Sequence, residues 1–205
     1  MMMDKGAAMQ HQPFFDTLET ITLYDELSQF LGAIDDGIIT YSYFDIVKTA
    51  GHSCGTVAGA YIMALHGLKA LYPDDIPKRG EIKVAFKKAV EDDNAGVMGC
   101  VLSNITGATT DYGFGGIPGG KFNRRTLLFY GADITTDLRL TRLDTMESVG
   151  VNYHPKEVVN PMKILMSAIG PDATQEDKES FGERFQNMVK TLFENQDKVV
   201  EVIRK

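Results

Sequence analysis

The residues best suited to chemistry lie in the segment Gly51-His52-Ser53-Cys54-Gly55, where an imidazole and a thiol stand two positions apart. The sequence predicts that this segment joins a strand to the start of a long helix. A cysteine at a helix N-terminus experiences the positive end of the helix dipole, which favours the thiolate. A thiolate is both a nucleophile and a metal ligand, and the imidazole adds a nitrogen donor. Together they indicate Zn²⁺ or another borderline transition metal rather than Mg²⁺ or Ca²⁺.

A zinc ion needs more than two protein ligands, and a coordination position left to water would make the site catalytic. Cys100 is the strongest candidate for the third ligand because it is the only other cysteine in the chain. Weaker candidates follow: His154, Asp111 and Asp92. The sequence therefore predicts a metal site with three protein ligands: His52, Cys54 and Cys100.

Two metal-free interpretations stay open. In the first, Cys54 is a nucleophile and His52 its base, because side chains at positions i and i+2 around a bend can touch. No third, orienting group is evident in the sequence. In the second, the segment is a glycine-rich helix entry and Cys100 is a buried core residue. His66 is expected to be an ordinary helix histidine, about 18 Å along the helix from Cys54.

The spacing of apolar residues predicts the elements that position this segment. Helices are expected at residues 13–31, 53–72, 95–103, 155–169 and 174–205. Strands are expected at residues 38–47, 81–86, 125–130 and 134–143. Residues 131–133 are expected to join the last two strands as a hairpin, and residues 174–177 resemble a capping box. The glycines at 51, 55 and 59 are expected to let the long helix pack closely.

This order of elements predicts an α+β fold in which helices pack on a mixed or antiparallel sheet. Residues 1–12 are expected to form a flexible tail that includes His11, and residues 13–205 a single domain. The glycine-rich connection at residues 106–123 is expected to be a mobile lid or a hairpin excursion. Its alternative role is an anion cradle completed by Lys121. Arg124 and Arg125 are expected to be solvated surface charges rather than groups that bind a substrate carboxylate.

Composition excludes several classes of protein. The net charge of −7 and the pI of about 5.1 argue against binding to nucleic acids or to anionic membranes. Two cysteines in 205 residues do not make a disulfide framework and suggest a reducing compartment. No apolar stretch reaches the roughly 20 residues that span a bilayer, and the first ten residues do not resemble a signal peptide. We expect a cytoplasmic protein.

Four short motifs occur in an order that resembles the E-subunit domain family of formylmethanofuran dehydrogenase. They are Gly-His-x-Cys at the start of a long helix, the acidic stretch at 91–97, Thr-Gly-Ala-Thr at 106–109, and Gly-Lys-x-Asn at 120–123 before a strand. The resemblance covers residues 44 to the C-terminus. It implies an α+β domain, often a homodimer, with a transition-metal site at His52 and Cys54.

The chain departs from the family pattern at several positions. Ala95 and Ala108 stand where the family often has cysteine, Gly55 where it often has proline, and Met98 where it often has aspartate. No cysteine follows Cys100, so we expect the chain to lack the C-terminal zinc module of longer members. His52 and Cys54 carry over, and Cys100 is the hypothesised replacement for the missing ligands.

These observations predict a protein that binds a transition metal, and the nitrogen and sulfur ligands favour zinc. One form of this hypothesis is an enzyme that acts on a small polar substrate. In that form the metal keeps an open coordination position in a pocket covered by the glycine-rich loop. Two alternatives remain: a non-catalytic metal-binding accessory module of a redox complex, and a metal-free interaction protein. Two cysteines cannot hold an iron–sulfur cluster with four thiolates, so the chain cannot perform formylmethanofuran chemistry alone.

Overall fold

A five-stranded mixed sheet and one long buried helix form the centre of the fold in the computed structural model, which describes residues 11–204. The helices are Glu26–Phe30 (α1), Tyr43–Ala50 (α2), Gly55–Leu71 (α3), Ala95–Thr106 (α4), Pro161–Ile169 (α5), Gln175–Glu179 (α6), Phe181–Glu194 (α7) and Gln196–Val199 (α8). The strands are Ile21–Tyr24 (β1), Ile38–Tyr41 (β2), Ile82–Phe86 (β3), Leu128–Phe129 (β4), Leu138–Arg142 (β5), Ser148–Tyr153 (β6) and Val200–Arg204 (β7). Short 3₁₀ turns occupy Pro13–Thr17 and Pro155–Glu157.

The sheet has the strand order β4-β3-β5-β6-β7. Strand β4 runs parallel to β3. The other three pairs of this sheet, β3–β5, β5–β6 and β6–β7, are antiparallel. A separate antiparallel pair, β1 and β2, begins with Ile21 opposite Tyr41. The predicted α+β class, with a mixed sheet packed with helices, is confirmed.

Helix α3 is buried along most of its length, because it packs against the sheet as well as against α4 and α7. Two of its glycines permit the close approach. A Cβ added at Gly59 would lie 2.4 Å from the ring of Tyr153 on β6, and one added at Gly67 would lie 2.8 Å from Leu140 on β5. Real side-chain contacts are longer than this, so the strands reach α3 only because these positions lack a side chain.

The prediction of a helix at residues 13–31 is wrong. A 3₁₀ turn, strand β1 and the short helix α1 occupy this stretch instead. Helical spacing suggests one apolar face, but Ile21 and Leu23 alternate with less buried neighbours in a strand. Their pairing with β2 is a long-range interaction that local periodicity does not report.

The prediction of a strand at residues 38–47 is correct only for its first half. After β2, Ser42 and Asp45 form a capping box: the Ser42 hydroxyl accepts from the Asp45 N–H and the Asp45 carboxylate accepts from the Ser42 N–H. This box starts α2 within a run of β-branched and aromatic residues. The Gly-His-x-Cys segment therefore lies between two helices, and not between a strand and a helix.

The predicted hairpin around residues 131–133 is also wrong. Strands β4 and β5 do not pair with each other, because they lie on opposite sides of β3. Near the C-terminus, the capping box at Thr174 is confirmed, but the helical region ends before Val200 and the chain then forms β7. Strand β6 is likewise absent from the sequence-based prediction.

Most of the predicted tail, residues 1–10, lies outside the described residues. His11, expected to belong to that tail, stacks on Phe44 with 3.9 Å between ring centroids, and its Nε2 lies 2.9 Å from Asp16 Oδ1. None of the helices within residues 11–204 combines the length and the apolar character needed to cross a bilayer.

Candidate functional site

A tight bend between α2 and α3 presents His52 and Cys54. Gly51 ends α2 in the left-handed conformation, with φ of +77°, and its N–H donates to the Val47 carbonyl at 2.8 Å. Glycine adopts this conformation without the cost that a Cβ imposes. The chain then reverses direction, and Cys54 occupies the N-cap position of α3.

The imidazole of His52 is held in one orientation. Its Nδ1 lies 3.0 Å from the Ala50 carbonyl oxygen, and its Nε2 lies 3.4 Å from Cys54 Sγ. A carbonyl oxygen only accepts hydrogen bonds, so Nδ1 donates, and the tautomer with the proton on Nδ1 presents the lone pair of Nε2 to the sulfur. This is the tautomer that metal-binding and general-base histidines use.

Side chains from distant segments hold the bend between these two residues. The Tyr43 and Ser53 hydroxyls lie 3.0 Å apart, and the side-chain amide of Gln186 on α7 donates to the Ser53 carbonyl at 3.0 Å. The Tyr153 hydroxyl on β6 donates to the Gly55 carbonyl at 2.8 Å. The position of the thiol therefore depends on α2, α7 and β6 as well as on the local sequence.

The two tyrosines beside the thiol are neutral phenols. Burial raises the pKa of Tyr43 and of Tyr153 well above the ordinary value, and the nearby Cys54 raises both further. Neither hydroxyl is ionised near neutral pH, so Tyr153 keeps the proton that it donates to the Gly55 carbonyl.

The Cys54 side chain makes no capping hydrogen bond at the N-terminus of α3. Cys54, Gly55 and Thr56 instead face a cavity of 510 Å³. Its size is within the range of small-molecule sites, and its remaining walls come from β3, α4, α5, α7 and the 3₁₀ turn that contains Lys156. The partly buried thiol and the helix N-terminus thus meet in one concave space.

The third predicted ligand lies elsewhere. Cys100 is exposed on α4 and is not part of the cavity wall, which α4 lines with Ala95 and Met98. Within residues 11–204, no three His, Cys, Asp or Glu side chains are grouped as a metal site. The structure thus brings together His52 and Cys54 but leaves Cys100 apart, and its role as a ligand stays a prediction.

Of the weaker candidates, Asp111 is exposed, and His154 and Asp92 make other contacts. His154 is exposed, with its Nε2 4.0 Å from Glu201 on β7. The Asp92 carboxylate accepts from the Ala89 backbone N–H. His66 lies 3.1 Å from Gln196 at the start of α8, well away from the bend.

The glycine-rich loop at residues 107–123 does not cover the cavity, contrary to the expected arrangement; Pro161, Met162 and Leu165 of α5 lie there. The loop is fastened instead by Arg124, which is not the solvated charge that the sequence suggests. The Arg124 side chain is 8% exposed and its Nη2 lies 2.7 Å from the buried Asp25, while Arg125 is exposed and donates to the Gly113 carbonyl.

The spacing of His52 Nε2 and Cys54 Sγ matches that of two ligands of one zinc ion. Tetrahedral zinc with Zn–N of about 2.0–2.1 Å and Zn–S of about 2.3 Å separates its nitrogen and sulfur ligands by about 3.5 Å. The Nε2–Sγ separation in this structure is 3.4 Å. The hydrogen bond from Nδ1 to a backbone carbonyl is the outer-shell contact that orients metal-binding histidines.

Several residues of the site are missed by sequence reasoning. Tyr153 and Gln186 contact the bend across 98 and 133 positions of the chain, and local patterns carry no signal for such contacts. The capping box at Ser42, in contrast, is a local signal from which the start of α2 could have been predicted.

Neither a protein-family model nor a curated protein matches this chain.

Proposed function

We propose that the chain is a formylmethanofuran dehydrogenase E-subunit-like protein that binds a transition metal, zinc by ligand chemistry, through His52 Nε2 and Cys54 Sγ. The observation that carries the proposal is the 3.4 Å contact between these two atoms. Cys54 also lines a cavity of 510 Å³. The sequence resemblance supports it through the same two residues.

A site of this kind supplies electrophilic chemistry. When bound, a zinc ion polarises a carbonyl oxygen or lowers the pKa of a coordinated water. The protein residues contribute position: Ala50 orients the imidazole, while Tyr43 and Gln186 hold the backbone that carries the thiol. The cavity provides space for a small-molecule substrate next to Cys54.

The test is isothermal titration of zinc into protein purified without an affinity tag. We expect one zinc per chain in the wild type, and a loss of affinity of about 10-fold or more in both His52→Ala and Cys54→Ser, because each change removes one of the ligands. Cys100→Ser is measured beside them, since it removes the other thiol of the chain. Unchanged affinity in His52→Ala and Cys54→Ser would contradict the proposal.

The same titration decides between two ligand sets. If Cys100→Ser weakens zinc binding as much as Cys54→Ser does, the set of His52, Cys54 and Cys100 is supported. If only His52→Ala and Cys54→Ser weaken zinc binding, one chain supplies two ligands. Water, substrate or a second chain of a homodimer then completes the coordination.

A second function is supported by the same contact. With Nε2 facing the thiol and Nδ1 oriented by a carbonyl, His52 is also placed to act as a base for a nucleophilic Cys54. Alkylation of metal-free protein by iodoacetamide distinguishes this function. A nucleophilic pair predicts that Cys54 reacts faster than the more exposed Cys100, and that His52→Ala removes the difference.

A further inference from the structure

One segment of the wall around the Cys54 cavity is packed much less tightly than the rest. We call residues 160–180, which contain α5 and α6, the roof segment; its residues Pro161, Met162 and Leu165 face the cavity. Ala168 is the one buried side chain of the roof segment, whereas most of α3, which also lines the cavity, is buried. Elements with few buried apolar contacts are the ones that open locally, without global unfolding.

The roof segment also leaves apolar side chains in contact with water on its outer side. On α5, Met166 is 45% exposed and Ile169 is 65% exposed, and α6 has no buried residue. The burial of apolar surface is the main force that holds one element against another. This force therefore holds α5 in its place less firmly than it holds α3.

A single arginine fastens the roof segment to the rest of the chain. Arg184 on α7 donates from Nη1 to the Ser167 hydroxyl at 2.9 Å and from Nη2 to the Asp177 carbonyl at 2.7 Å. Its Nη2 also lies 3.5 Å from the Asp177 carboxylate. Among residues 11–204, every side-chain hydrogen bond or ion pair between the roof segment and the rest of the chain involves Arg184. One side chain thus connects both helices of the roof segment to α7.

The hydrogen bonding of Arg184 is incomplete in this arrangement. Its Nε is buried and has no hydrogen-bond partner within the part of the chain that the structure describes. A buried donor without a partner carries a desolvation cost, because water would otherwise accept its hydrogen bond. This cost offsets part of the stability that the other N–H groups of Arg184 contribute, so the closed position is only weakly favoured.

We propose that the roof segment is a gate over the cavity beside Cys54, and that Arg184 holds this gate closed. In the open state, α5 and α6 move away from α7 together, and a bulky ligand reaches the thiol. In the closed state, Pro161, Met162 and Leu165 restrict that access. The inference rests on the proposed function for the role of the thiol, but the movement itself does not require a bound metal.

Hydrogen–deuterium exchange of the full-length protein, analysed by mass spectrometry, measures the opening. We expect peptides from α5 to exchange faster than peptides from α3. Arg184→Gln is expected to accelerate exchange in α5 about tenfold, because it removes a charged hydrogen-bond donor. Ser167→Ala is expected to have a smaller effect, since the contacts of Arg184 with Asp177 remain. Lys190→Gln is the matched control: it removes a charge from the same helix, but Lys190 pairs with Glu194.

Labelling of the two thiols measures what the opening admits. N-ethylmaleimide is a small reagent and fluorescein-5-maleimide a bulky one, and peptide mapping gives the rate at each cysteine. The ratio of the bulky rate to the small rate cancels the intrinsic reactivity of a thiol. We expect this ratio to be smaller at Cys54 than at Cys100, which is exposed on α4. Arg184→Gln is expected to raise the ratio at Cys54 and to leave the ratio at Cys100 unchanged, whereas Lys190→Gln changes neither.

The proposal is overturned if Arg184→Gln leaves exchange in α5 unchanged, or if it leaves the labelling ratio at Cys54 unchanged. Accelerated exchange that extends equally to α3 would also overturn it, because that result describes global unfolding and not a local opening. Both measurements use protein without added metal. Failure of the zinc titration with the expected effects of Arg184→Gln therefore points to the proposed function, and the reverse result points to this inference.

Discussion

Tyr153 connects the sheet to the start of α3 through two contacts. Its hydroxyl donates to the Gly55 carbonyl at 2.8 Å, and its ring lies where a Cβ of residue 59 would project. The phenol is neutral because burial raises its pKa. Tyr153 thereby positions the first turn of α3, next to Cys54. The tyrosine ring fits there because residue 59, one turn further along the helix, is a glycine.

Gly59→Ala is expected to destabilise the protein. The new Cβ would lie 2.4 Å from the Tyr153 ring, and overpacking of this kind costs about 1–3 kcal/mol. The gain of about 1 kcal/mol from replacing a helical glycine does not compensate for it. Urea unfolding gives the change in the free energy of unfolding. Gly182→Ala in α7 is the control, because a Cβ there meets nothing within 4 Å, and it is expected to be neutral or stabilising. Equal effects at both positions would contradict the packing argument.

At the scale of elements, a buried ion cluster ties the β1–β2 unit to the glycine-rich loop. Asp25, which caps α1, is 3% exposed. Its two carboxylate oxygens lie 2.8 Å from Arg79 Nη1 and 2.7 Å from Arg124 Nη2. Arg124 also anchors the loop by its backbone, since its carbonyl accepts from the Thr109 N–H and its N–H donates to Phe114. These contacts of Arg124 hold the glycine-rich loop against the β1–β2 unit.

The cluster predicts a pH dependence of stability. Burial opposes ionisation of Asp25, but the hydrogen bond from Arg79 and the charge of Arg124 outweigh it and hold its pKa below the ordinary value. A depressed pKa in the folded state contributes stability above the unfolded pKa of about 3.9, and this contribution is lost as the pH falls through the folded value. Asp25→Asn should cost about 3–5 kcal/mol at pH 7, because it leaves buried arginine charge unpaired.

The measurement is urea unfolding of the wild type and Asp25→Asn between pH 7 and pH 3. We expect the difference in unfolding free energy to be constant at neutral pH and to shrink below about pH 4. Asp35→Asn is the control, since Asp35 is exposed. A difference that does not change with pH would show that the charge of Asp25 does not stabilise the fold.

At the scale of the whole molecule, the sequence predicts the α+β class and the elements with strong local signals. Helix α3, strand β3 and the capping box at Thr174 follow directly from apolar spacing or from side chain to backbone hydrogen bonds. Strands β1 and β7 do not, because their partners lie outside a local window. Pairing energy of this kind is absent from any local window.

The candidate site could also be predicted only in part, for the same reason. His52 and Cys54 could be paired from the sequence because a bend between neighbouring residues brings them together. The cavity could not be predicted, because its wall combines residues from α3, α4, α5, α7 and β3. For Cys100, the residue type suggests a metal ligand. Its position relative to the cavity depends on how α4 packs, and the sequence does not report that packing.

The most direct test of the proposed metal site is the absorption spectrum of the protein titrated with Co²⁺, a spectroscopic substitute for zinc. Coordination by a thiolate gives a near-ultraviolet sulfur-to-cobalt charge-transfer band. We predict this band in the wild type, its loss in Cys54→Ser, and a weaker band at equal Co²⁺ concentration in His52→Ala. A wild-type titration without the band, or a band that persists in Cys54→Ser, would contradict a metal site shared by the imidazole and the thiol.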